Sequence, residues 1–153
     1  SLETWDTSRG ESMSGMFERF RGKATGLQGW NVSNVKIFSF MFEDAKIFLT
    51  KRWNNSLETW DTSKGETMMG MFREFRREVT GLQGWKVSNV KDFSSMFVDT
   101  NISLTKRCNN SLETWDTSRG ETMKGMFREF GGEVTGLQGW KVSNVKDFSV
   151  MFA

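Results

Sequence analysis

The sequence predicts an α/β repeat solenoid of six coils, each with one short parallel strand and one short helix. Three observations carry that expectation. The octapeptide SLETWDTS is spelled at Ser1, Ser56 and Ser111. Trp5, Trp30, Trp60, Trp85, Trp115 and Trp140 recur at alternating spacings of 25 and 30 residues. Each of these tryptophans is followed three residues later by serine, and eleven and twelve residues later by a Met-Phe pair. Residues 1–153 therefore read as a single array of three 55-residue units starting at 1, 56 and 111, each a 25-residue plus a 30-residue coil. One coil cannot bury its own apolar face, so neighbouring coils must stack.

The elements follow from spacing. In LETWDTS and LQGWKVS, Leu, Trp and then Thr or Val fall at positions 0, 3 and 5, which predicts an inward-facing strand. Met68, Met71, Phe72 and Phe75 fall at i, i+3, i+4 and i+7, which predicts one apolar stripe along a two- or three-turn helix. Ser8, Ser63 and Ser118, each with Glu three residues on, are candidate helix caps, as are Asp92 and Asp147 in the other coil type. Without proline, the turns fall to glycine and asparagine. The five extra residues of the longer coils are placed at 46–50 and 101–105, inside loops 43–55 and 98–110.

Composition narrows the function classes. Twenty-one basic against 19 acidic residues give a net charge of +2, which sets up no field for nucleic acid or an anionic membrane. The chain has no histidine, and its one cysteine, Cys108, stands where the preceding copy has Trp53, as a small apolar filler. No run of membrane length occurs, so direct membrane insertion is not expected. No catalytic residue, cofactor site or metal-ligand set is expected, and the chain reads as a non-enzyme. The Trp and Met-Phe rows read as core, and the Ser row as turn and capping groups.

Candidate interaction residues lie on the outer side. Asp6, Asn31, Asp61, Lys86, Asp116 and Lys141 each follow a core tryptophan and form one row, whose signs alternate from Asp61 onward. The expectation is a register in which Asp116 pairs with Lys86 and Lys141. The adjacent row of Thr and Gly is small and flat. Lys51, Arg52, Lys106 and Arg107 are candidate loop contacts, and Asn101, Asn54 and Asn109 are candidate glycosylation positions in N-x-S sequons, as is Asn31.

The signature L-x-x-W-x-[VT]-S followed by M-x-x-M-F or F-x-x-M-F, clearest in LQGWKVSNVKDFSSMF at 82–97, resembles BspA-like leucine-rich-repeat surface proteins. That resemblance covers all six coils and implies a leucine-rich-repeat-like solenoid, an extracellular or cell-surface location and no catalytic residues. The chain departs from the pattern in its insertions and in RGE or KGE after the serine. The expected function is a structural or adhesive repeat protein of a surface, appendage or large assembly. The alternative is a soluble scaffold or ligand-binding module, organellar or cytoplasmic, using the outer face or the inserted loops. Expected partners are proteins, further copies stacked at the ends of what is read as part of a longer array, and glycans, with no nucleic acid.

Overall fold

The computed structural model describes residues 1–153 and contains no α-helix and no β-strand, which overturns the expected α/β solenoid with a strand and a helix per coil. Its only helical elements are four 3-10 turns, Leu27–Gly29, Lys51–Trp53, Lys106–Cys108 and Leu137–Gly139. The repeat itself is real: consecutive coils touch at equivalent residues. Along one row, isolated parallel bridges join Ser12 to Ile37, Ile37 to Thr67, Thr67 to Asp92, Asp92 to Thr122 and Thr122 to Asp147, so each coil is tied to the next at an equivalent residue.

The predicted strand is a corner. In every coil the Trp N–H turns back to the carbonyl of the Leu three residues before it, at 3.0–3.2 Å, as from Trp60 to Leu57. A second turn follows at once, from Gly65 N–H to Thr62 carbonyl or from Val90 to Val87. Two turns within ten residues leave no extended run to pair. The side-chain directions nevertheless match the expectation: Leu57, Trp60 and Thr62 are all buried.

The predicted helix is a chain of linked turns. Met71 N–H bonds to the Met68 carbonyl three residues back, and Phe75 to Phe72, while the intervening amides of Gly70, Phe72 and Glu74 donate to Ser94, Met96 and Val98 in the next coil. Those outward bonds require a left-handed residue every four positions, at Gly70 with φ 62° and Glu74 with φ 56°. An α-helix needs φ near −63° throughout, so it cannot continue past either. Glycine suits Gly70 twice over, because a Cβ there would run into the Phe40 ring.

Spacing explains why turns win. The ring ladder Phe17, Phe42, Phe72, Phe97, Phe127 and Phe152 stacks at 5.6–5.9 Å between centroids. On the opposite wall Trp60, Trp85, Trp115 and Trp140 stack at 6.4–6.5 Å. Packed helices sit about 8–10 Å apart, so neither wall leaves room for one per coil. From Trp30 onward each ladder indole N–H also donates to a leucine carbonyl of the preceding coil, as Trp85 does to Leu57 at 3.0 Å. A single cluster of 33 buried apolar residues, from Met13 to Phe127, therefore threads through the stack.

The extra residues of the long coils lie later than expected. Thr50 pairs in register with Thr80, because Leu49 and Val79 form a parallel bridge and Leu104 and Val134 repeat it. Residues 46–50 and 101–105 thus belong to the common coil. The insertion is residues 51–55 and 106–110, each a 3-10 turn closed by a left-handed asparagine, Asn54 or Asn109, at φ 55°.

Candidate functional site

The outer row is exposed as expected, but it is not an ion-pair ladder. Asp6, Asn31, Asp61, Lys86, Asp116 and Lys141 all face solvent, and no carboxylate of the row lies in an ion pair. Each acidic side chain instead closes its own turn. Asp61 Oδ1 accepts the Ser63 N–H at 3.0 Å, Asp116 Oδ1 accepts that of Ser118 at 3.0 Å, and Asn31 Oδ1 accepts that of Ser33 at 3.1 Å. The Ser63 hydroxyl and then its N–H hold the Asp61 carboxyl below its ordinary range, with a smaller pull from Lys86. Ser118 does the same to Asp116. Lys86 and Lys141 on the next coils add only a smaller pull, without closing an ion pair.

The same turn chemistry replaces the expected helix caps. Ser8 donates both its N–H and its hydroxyl to Asp6. Asp147 accepts from the N–H and hydroxyl of Ser149, and Asp92 from the N–H of Ser94 at 2.8 Å. The carbonyls of Ser8, Ser63 and Ser118 each accept an asparagine amide from the next coil, Asn34, Asn89 and Asn144. Above the row an open groove of about 610 Å³ is lined by Trp85, Lys86, Thr114 and Asp116 among others. The Thr114 hydroxyl in its wall already donates to the Gln83 carbonyl.

The insertions divide into a structural half and an exposed half. Asn55 and Asn110, which sequence reading passed over as part of a sequon, are buried clamps. Asn110 Oδ1 accepts the Leu82 N–H at 3.2 Å, and its amide donates to Val79 at 2.8 Å and Ser103 at 3.1 Å. Asn55 makes the equivalent bonds to Leu27, Ala24 and Phe48. Each clamp holds its insertion against the coil before it. The glycosylation candidates Asn54, Asn101 and Asn109 are exposed, although Ser56 and Ser111 of two sequons are buried.

The four basic loop candidates have different surroundings. Lys51 pairs with Glu58 at 2.9 Å and Lys106 with Glu113 at 2.9 Å, so both are tied to the following coil. Arg52 lies over the Trp53 ring at 5.9 Å. Arg107 forms no ion pair and lines a groove of about 470 Å³ together with Arg76, Arg77 and Cys108. Trp53 in turn stacks on Phe48 at 5.6 Å, and the Arg77 guanidinium lies over the Phe48 ring at 5.5 Å. This aromatic and arginine cluster was not foreseen. Its signal is in the repeat: 55 residues on, Phe48, Trp53 and Arg77 become Ser103, Cys108 and Gly132.

No group of three or more metal-ligating side chains forms in the chain. Neither a curated protein nor a solved structure matches it. The leucine-rich-repeat architecture implied by the surface-protein resemblance does not carry over, because the chain lacks the strand and helix that define it. Three overlapping segments, 1–56, 47–104 and 80–153, match one family model, so the chain is a repeat protein and belongs to the family described as Mycoplasma protein of unknown function, DUF285.

Proposed function

We propose that the chain is a non-catalytic repeat scaffold that acts through protein–protein contacts, as a structural or adhesive component of a cell surface, appendage or large assembly. One observation carries this reading. The aspartates of the outer row close their own turns, and the buried asparagines Asn55 and Asn110 hold backbone groups, so these polar side chains serve the frame. Among the positions at which the units differ is an exposed surface beside the first insertion, with Phe48 and Trp53 37% and 39% exposed. A frame that keeps its aromatic ladders and varies exposed residues beside an insertion is suited to recognition. In-cell cross-linking with mass spectrometry in the source organism tests it. Reproducible cross-links from exposed lysines to one or a few proteins are expected, and a chain cross-linked to none would contradict the reading.

The second reading, a binding module working through its inserted loops, is favoured by the groove between residues 76–80 and the second insertion. Both readings place the contact on the same side of the molecule.

A further inference from the structure

Resting on the protein-contact reading, we infer that the groove beside the second insertion binds an acidic segment of a partner protein. The groove is bounded on one side by Arg76 and Arg77 of the third coil and on the other by Arg107 of the second insertion. Arg76 is neutralised by Asp99, with its guanidinium 2.6 Å from the carboxylate. Arg77 and Arg107 have no carboxylate partner in the chain, and Glu78 is the only acidic side chain lining the groove. Two guanidiniums without an ion-pair partner, each with a planar fork of donors, thus line one groove.

The rim supplies what cations alone lack. Arg77 lies on Phe48, Phe48 stacks on Trp53, and Arg52 lies over Trp53, so one cationic wall continues into an exposed aromatic platform. Tryptophan, arginine and phenylalanine together are the composition of a protein-contact hot spot. A free carboxylate segment with an apolar side chain would satisfy both halves. The balanced charge of the whole chain argues against a nucleic acid, which needs a longer basic track. The platform also lacks the extended apolar face of a membrane-seated element.

The repeat provides safe variants for the test. Phe48→Ser, Trp53→Cys and Arg77→Gly each install the residue found 55 positions later, so the fold has a precedent for them. The probe is a fluorescein-labelled dodecapeptide of Glu and Asp with two Phe, compared by anisotropy with its Gln and Asn twin. The acidic peptide is expected to bind in the micromolar range at low salt, and the neutral twin about tenfold more weakly or worse. Arg77→Gly, Arg107→Gln and the Phe48→Ser, Trp53→Cys double variant should each weaken binding several-fold with unchanged melting temperature. Equal affinity for the two peptides, or undiminished binding to the folded variants, overturns the inference. So does binding of phosphatidylserine vesicles or of an oligothymidylate in place of the peptide. The cross-linking experiment separates the two levels: partners captured from other faces, with no acidic peptide bound here, would sink the groove and leave the protein-contact reading standing.

Discussion

Asp61 and Glu43 show how burial and bonding set opposite signs on two carboxyls. Asp61, like Asp6, Asp116 and Asp147, has its carboxyl held below the ordinary range by the hydroxyl and N–H of the serine two residues on. Stability from such groups is complete above the unfolded value, about 4, and is lost as pH falls through the lower folded value. The melting temperature is therefore expected to drop below about pH 4, and Ser63→Ala with Ser118→Ala to flatten that acid limb. Glu43 runs the other way. Burial raises its carboxyl above the ordinary range, with Arg73 opposing at 3.7 Å. Its protonated form is favoured in the fold, so it weakens the native state as pH rises through that raised value. The equivalent residue one unit on is Val98, which is buried. Glu43→Val is expected to stabilise by about 1 kcal/mol at pH 7 in urea unfolding, with the gain shrinking at pH 4. The clamp residue Asn110 gives the largest polar effect, because Asn110→Ala strands the Leu82 N–H and the Val79 and Ser103 carbonyls. A loss of about 3 kcal/mol is expected, against less than about 0.5 for exposed Asn101. The tryptophan core was legible from spacing for Trp30, Trp60, Trp85 and Trp115, which are buried, whereas Trp5 is 53% exposed. The asparagine clamps were not, because a buried Asn inside an N-x-S pattern looks identical to a surface one.

At the scale of elements, the apolar spacing identified which residues point inward and misassigned the backbone that points them there. Met68, Met71, Phe72 and Phe75 are all fully buried. Three- and four-residue spacing is satisfied equally by a helix and by linked three-residue turns, and the sequence lacks a mark to separate them. Ser95 and Val150 occupy the left-handed position that Gly70 and Gly125 occupy in the shorter coils. Their φ values of 56° and 49° are imposed by the inter-coil bonds and cost roughly 1 kcal/mol each. Ser95→Gly separates the two backbones by sign. It should stabilise by a few tenths to about 1 kcal/mol here, whereas glycine inside a helix would destabilise by a similar amount. Chemical denaturation of the single variant reads the answer.

Across the whole molecule, stability comes from ladders that every coil extends. The phenylalanine ladder is fully buried at Phe72 and largely open at Phe152, which is 67% exposed. Phe72→Ala is expected to cost about 3–5 kcal/mol and Phe152→Ala less than about 1, measured by thermal unfolding. The period, the coil count and the two aromatic rows could be read directly, since six tryptophans in phase mark six equivalent coils. Coil spacing could not be read, and that quantity decides against helices. The central claim is that the chain after each core tryptophan bonds to the next coil and not to itself. Hydrogen-bond scalar couplings measured by NMR test it most directly. Couplings are predicted from the amides of Gly70, Phe72 and Glu74 to the carbonyls of Ser94, Met96 and Val98. Couplings from Phe72 to Met68 and from Phe75 to Met71, the four-residue pattern of an α-helix, would contradict it.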